Sequence, residues 1–192
     1  MKFRKYALAG TAIMAFCVPA SANTLTFQGV TFESLSVDSD TLQLSITNAL
    51  SGGTGNWTNV NYLKAFEIKG IGDVTGATLS GWSATADNGL AASAGCTTGG
   101  TPGACFFSTP PVALSDSMVF VIDFVGNNLN FDAPHLKVQF LSGINDGKAT
   151  GDLLSQTISP IPEPEIYAMM AVGLGLMGWV GRRKRLKEAA AA

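Results

Sequence analysis

Thr41-Leu-Gln-Leu-Ser-Ile-Thr47 alternates polar and apolar residues without a break. In an extended chain successive side chains point to opposite faces, so Leu42, Leu44 and Ile46 share one face. That pattern belongs to a strand buried on one side and solvated on the other. The same period recurs outward from it. Ser117-Met-Val-Phe-Val-Ile-Asp-Phe-Val125 is the most apolar stretch and reads as a central strand. Its Phe120, Ile122 and Phe124 lie on one face, with Val119, Val121, Asp123 and Val125 on the other. Thr24–Phe27 and Val30–Phe32 flank Gln28-Gly29, while Leu136–Leu141 and Leu153–Ile158 supply two later strands. Asp38-Ser39-Asp40 reads as a turn and 51–56 as a loop. Tyr62–Ile68 is less regular, a strand or a short helix. As a strand it sets Tyr62, Lys64, Phe66 and Ile68 against Leu63, Ala65 and Glu67. Residues 70–83 are rich in glycine and threonine, and Trp82 is expected in the core. Strands spaced near ten residues, with Gly and Asn turns and no amphipathic helix, predict an all-β fold. The expected form is a single β-sandwich, jelly-roll-like, over residues 23–160.

The two ends of the chain differ from this body. Lys2, Arg4 and Lys5 precede an apolar run from Ala7 to Val18, and Ala20-Ser21-Ala22 places small residues at −3 and −1. This is the layout of a signal peptide over 1–22, cut by signal peptidase before Asn23. Cys17 follows Phe16, where a lipoprotein signal needs a small residue, so it is expected to leave with the signal. At the other end, Pro162-Glu163-Pro164 leads into an uncharged run from Ile166 to Gly181 and then Arg182-Arg183-Lys184-Arg185. Prolines keep the entry extended and accessible to an enzyme. The apolar run, about sixteen residues, is a short transmembrane helix by pattern, and the basic cluster stops transfer on the cytoplasmic side. Its glycines, at 173, 175, 178 and 181, suit a segment that is inserted, gripped and cut. Residues 188–192 read as a disordered tail.

Between these ends, residues 23–160 carry eleven acidic residues against four lysines and no arginine, a net charge of −7, whereas the whole chain carries −2. The difference lies in the basic termini. Such a body is a poor partner for nucleic acid or anionic lipid. Cys96 and Cys105 remain after signal removal, an even count in an exported chain, and are expected to form a disulfide across a turn-forming segment. A zinc site is the alternative, but it needs two further ligands and His135 is the chain's single histidine.

Catalytic constellations are sparse. His135 is the one imidazole base, and it follows Pro134 at a strand start, where a polar strand-end role suffices. No serine sits in a nucleophile elbow. Asp123 is the acid of most interest for paired-carboxylate hydrolysis, yet its alternation places it on the less buried face. Asp38-Ser39-Asp40 and Asn145-Asp146-Gly147 offer oxygens for calcium, but turn formation explains both. Trp57, Trp82 and Tyr62 could line a sugar-binding face, although most aromatics alternate as core residues do. The expectation is no catalytic residue, no metal and no cofactor.

Pro162-Glu163-Pro164, the apolar helix, the Gly-Leu-Gly-Leu-Met-Gly run at 173–178 and the Arg/Lys cluster together resemble the PEP-CTERM protein-sorting signal of Gram-negative bacteria, here over 161–187. The resemblance implies an exosortase partner and a transient stay in the inner membrane. It then implies release to the outer surface or extracellular matrix. Proteins with this tail are linked to exopolysaccharide production, so the resemblance implies a structural or adhesive role in an exopolysaccharide matrix. A carbohydrate-binding module with an aromatic face is the alternative, and a glycoside hydrolase ranks last. Ala133-Pro-His-Leu-Lys-Val138 and Gly151-Asp-Leu-Leu-Ser155 are similar to stretches of secreted β-sandwich domains that bear such tails.

Overall fold

The computed structural model describes residues 22–86, 88–92, 95–98, 103–160, 170–175 and 177. Their order begins β1 (Ala22–Phe27), β2 (Val30–Ser36), β3 (Thr41–Thr47), a single 3-10 turn (Gly55–Trp57), β4 (Tyr62–Lys69) and β5 (Asp73–Thr78). It continues β6 (Ser83–Ala86), β7 (Asn88–Ala91), β8 (Gly95–Thr98), β9 (Gly103–Ala113), β10 (Ser117–Asn127), β11 (His135–Leu141) and β12 (Leu154–Thr157). Two five-stranded sheets result, ordered β1-β2-β3-β10-β5 and β12-β11-β4-β9-β6, with β7-β8 as a separate two-stranded ribbon. Every pairing is antiparallel.

The inner faces of the two sheets share one core. Leu42, Leu44 and Ile46 of β3 and Ile122 of β10 are fully buried, and they cluster with Leu63, Phe66 and Ile68 of β4 and Leu136 and Val138 of β11. Burying each such side chain contributes roughly 1.5–3 kcal/mol, which makes this alternation the main source of register. β10 meets the expectation for its faces. Phe120, Ile122 and Phe124 point inward, and Val119, Val121 and Val125 are about half exposed or more.

The β1–β2 turn shows how local chemistry sets register. Gln28 and Gly29 both have positive φ, at 45° and 79°. That is the mirror-image two-residue turn whose twist matches the strands it joins. Gln28 is a non-glycine in this region. Its side chain is held by the backbone N–H of Trp57, which donates to Gln28 Oε1 at 3.1 Å.

Three differences from the sequence reading have physical causes. Tyr62–Lys69 is a strand rather than a helix, and its faces are not those of strict alternation. A β-bulge between Leu63 and Ala65 puts the extra residue Lys64 opposite no partner. Leu63 therefore joins Phe66 and Ile68 in the core. Lys64 and Ala65 both turn outward, where they line one shallow pocket. Second, β5 through β9 were not legible. Their glycines, alanines and threonines carry little periodic contrast, and the Pro110-Pro111 pair in β9 argues against a strand that nonetheless pairs with both β4 and β6. Third, Trp82 is half-buried, edge-on to Phe66 at 5.4 Å and Phe120 at 5.6 Å.

Residues 170–175 and 177 are helical. Among the described residues no helix is long and apolar enough to cross a membrane. The remainder of the expected membrane segment lies outside the described residues.

Candidate functional site

The outer face of the β12-β11-β4-β9-β6 sheet carries the chemistry. The ladder fixes its layout in ranks. One rank runs Thr157, His135, Lys69 across β12, β11 and β4; the next runs Ser155, Lys137, Glu67, Cys105 into β9. Strands lie about 4.8 Å apart, and same-face residues along a strand about 6.6 Å apart. Side chains in neighbouring ranks therefore touch.

Glu67 is fully buried on this outer face, which is possible only because the β7-β8 ribbon covers it. Lys137 Nζ lies 3.0 Å from Glu67 Oε2. The backbone N–H of Leu90, in β7, donates to the same oxygen at 2.8 Å. Gln139 Nε2 donates to the carbonyl of Ala92 at 3.1 Å. Among the described residues Glu67 Oε1 and Gln139 Oε1 have no hydrogen-bond partner. Cys96 in β8 and Cys105 in β9 form the expected disulfide, with Cα atoms 5.7 Å apart. The disulfide straps the ribbon down beside Leu90, Ala65 and Cys105, a small apolar cluster separate from the main core.

His135 sits at the open end of the face, half-buried. Its Nε2 lies 3.0 Å from Ser155 Oγ and its Nδ1 3.2 Å from Thr157 Oγ1. A hydrolytic triad would hold a carboxylate at the second nitrogen; here the group is a threonine hydroxyl. The His135 pKa is lowered, first by burial and then by the charges of Lys69 and Lys137, against a weaker opposing pull from Glu67. The Lys69 pKa is also lowered, by burial first and then by Lys137. Burial is the larger cause of both shifts, and the neighbouring lysines add to it.

The other residues singled out by sequence are dispersed. Asp123 is on the exposed face of the opposite sheet, where it accepts a hydrogen bond from Thr41 Oγ1 at 3.0 Å. Asp38 Oδ1 accepts from the backbone N–H groups of Asp40 and Thr41, which holds the β2–β3 turn and lowers its pKa. Asp40 is pushed up by its contact with Asp38 and that residue's charge. Asp146 Oδ2 takes bonds from Ser142 Oγ at 2.7 Å and Gly143 N at 2.6 Å, so it too closes a turn. Trp57 is 1% exposed. It packs edge-on against Phe27 at 5.1 Å and Phe140 at 4.8 Å, and its indole N–H donates to the Asp152 carbonyl at 2.9 Å. Trp57 is a core anchor, and among the described residues no aromatic ring is strongly exposed. Trp57 therefore presents no ring face to solvent, and Trp82 is half-buried against Phe66 and Phe120.

Of the residues expected at the signal cleavage site, Ala22 and Asn23 open β1, and Ala20 lies outside the described residues. Asn23 is 3% exposed. Its Nδ2 donates to the carbonyls of Phe131 and Asp132 at 3.3 and 2.6 Å. Beside it Thr24 N donates to the Ser159 carbonyl at 3.3 Å, and Asn23 bridges Pro160. The first residue of the expected mature chain and the last residue before the tail are thus pinned together. Pro162, Glu163, Pro164 and the cluster Arg182, Arg183, Lys184 and Arg185 lie outside the described residues.

Sequence reasoning missed the buried Glu67–Lys137 pair. An acid and a base on different strands give no signal until register is known, and an outward-facing Glu reads as solvated. A family model for the PEP-CTERM protein-sorting motif matches residues 160–185. No curated protein matches the chain, and no solved structure does.

Proposed function

We propose that this chain, which carries the PEP-CTERM sorting motif at 160–185, serves as a structural or adhesive component of an exopolysaccharide matrix. The motif implies export and surface sorting through an exosortase. In this reading signal peptidase cuts before Asn23, the tail holds the protein briefly in the inner membrane of a Gram-negative cell, and exosortase processing delivers the body to the surface. The observation that carries it is the motif match itself. The pinning of Asn23 against Pro160 supports it, because a body closed on itself at Pro160 leaves the tail as an appendage that can be cut without opening the fold. The interleaving of β10 between β3 and β5, and of β9 between β4 and β6, supports a jelly-roll-like sandwich as the cargo.

The role is read as non-enzymatic. Its support is the separation of Asp38 and Asp146, which close turns, from Asp123 on an open sheet face, and the hydroxyl partners of His135. Intact mass analysis of protein recovered from the surface of the native host tests the sorting. The expected product begins at Asn23 and lacks Arg182–Arg185. Fully exported protein that keeps an intact C-terminus would refute exosortase processing.

A further inference from the structure

The tail leaves the body at a place the fold defines. After β12 the chain crosses to the edge of the other sheet. Ile158 N donates to the Pro134 carbonyl at 2.9 Å, Thr24 N donates to the Ser159 carbonyl at 3.3 Å, and Pro160 bridges Asn23. The sorting motif matches from residue 160 onward. Body and motif therefore meet at one residue, with no spacer between them. Beside this exit lies the β10–β11 connection, 128–134. Asn23 ties the two together, because its Nδ2 donates to the carbonyls of Phe131 and Asp132 at 3.3 and 2.6 Å. The connection is also held from its other side. Asn130 N donates to the Ile71 carbonyl at 3.0 Å, and Asn130 Oδ1 accepts from Asp132 N at 2.7 Å. Gly72 packs so closely against it that a Cβ there would lie 2.4 Å from the Asn128 carbonyl oxygen. Phe131 and Pro134 are buried, while Asp132 and Ala133 between them are exposed. The bonds that hold this rim use the backbone of Asp132, so its side chain is presented outward.

Reach decides what meets this rim. An extended chain spans at most about 3.6 Å per residue, so Pro162 lies within about 7 Å of Pro160 and Pro164 within about 14 Å. A folded unit of only about 100 residues already has a radius of gyration of about 13 Å. An enzyme that grips 162–164 cannot stand clear of the end of the body. We propose that the exposed tip Asp132-Ala133, together with the exit at Ser159 and Pro160, is a docking surface for the exosortase that reads the motif. The enzyme then recognises the folded end of the body as well as the tail. The proposal rests on the sorting reading above and adds a second contact to it. A rim whose backbone is already fixed loses little freedom when it is covered, so contact there contributes to binding at small entropic cost.

The test follows the full-length chain in the host that supplies the exosortase, by pulse-chase and intact mass. Asp132→Arg/Ala133→Trp should slow loss of the tail about five-fold or more, whereas Leu50→Arg should change it less than about two-fold. Leu50 is 49% exposed and lies just beyond β3, at the opposite end of the sandwich. Both variants should melt near the parent temperature. A spacer of about twenty Gly and Ser residues between Pro160 and Ile161 places the motif roughly 25 Å from the body on average. The spacer-bearing parent should fall to the rate of the rim variant, and the rim substitutions should then cause no further loss. A photo-crosslinking residue at position 133 should form an adduct with the exosortase, identified by mass spectrometry, and one at position 50 should not. Parental processing of the rim variant would overturn the proposal. So would a spacer that leaves the rate unchanged or raises it, since the body would then be a bystander or an obstruction. A rim variant that stays slower than its parent behind the spacer would show a defect in export or folding instead of docking, and adducts at position 133 with lipid or a second copy of this chain alone would name another occupant. Each of these outcomes leaves processing of the parent intact and refutes this inference alone. A parent chain that is exported and never cut refutes the sorting reading itself, and this inference with it.

Discussion

Replacing Lys137 with methionine tests the reasoning about the covered face most sharply. Glu67 is 0% exposed, and among the described residues its Oε2 is held by Lys137 and the Leu90 N–H. Lys137→Met keeps the length and apolar stem of the side chain but removes the cation. Glu67 must then hold an unpaired charge in the interior or take up a proton. Removing one partner of a buried pair costs about 3–5 kcal/mol. Lys137 is 19% exposed, so water relieves part of this, and the expected loss is about 3 kcal/mol. Glu67→Gln is milder. Its amide oxygen still accepts from Leu90 N, and the partly exposed ammonium can reach water, so about 1 kcal/mol is expected. The double variant Glu67→Gln/Lys137→Met leaves no unpaired charge and should fall within about 1 kcal/mol of the parent, a coupling of roughly 3 kcal/mol. Urea unfolding of the four proteins at neutral pH measures all three values. Amide exchange at Leu90 should accelerate in Lys137→Met, because the ribbon opens to hydrate the carboxylate. Additive single effects, or a Lys137→Met loss below about 1 kcal/mol, would refute the account of Glu67 as a charge held by its partner.

Three further outcomes are expected. Cys96→Ala/Cys105→Ala frees a loop with a sequence separation of 9 and should cost about 2.6 kcal/mol by chain entropy, with faster exchange over β7-β8 read by mass spectrometry. Trp57→Ala removes the ring that joins Phe27, Phe32 and Phe140 and should cost about 3–5 kcal/mol, seen as a large drop in melting temperature. Because the His135 pKa lies below its ordinary value of 6.5, the unfolded chain binds the proton first as pH falls. Stability should therefore decline from about pH 6.5 downward and level off below the folded-state pKa, and His135→Gln should remove that component in a pH series of urea midpoints.

What the sequence determined by itself is local and periodic. The alternation in Thr41–Thr47 and Ser117–Val125 assigned those strands and their buried faces, because a side-chain period of two needs no partner to be read. Gln28-Gly29 and Asp38-Ser39-Asp40 announced turns through residue chemistry, and the tail announced itself through a contiguous string of prolines, apolar residues and basic residues. Cys96 and Cys105 could be paired by counting. Tertiary structure decided whatever depends on register between distant strands. A single bulge at Lys64 reassigned the faces of β4, sending Leu63 inward against its nominal alternation. Pairing with β4 and β6 made a strand of 103–113 despite its prolines. The ribbon β7-β8 turned the nominally solvated face of Glu67 into an interior, and the ladder of β12, β11 and β4 gathered Lys69, Lys137 and His135 from across the chain. Net charge is a sum over sequence, whereas the charge pattern of a sheet face is a distribution in space, and only folding converts one into the other.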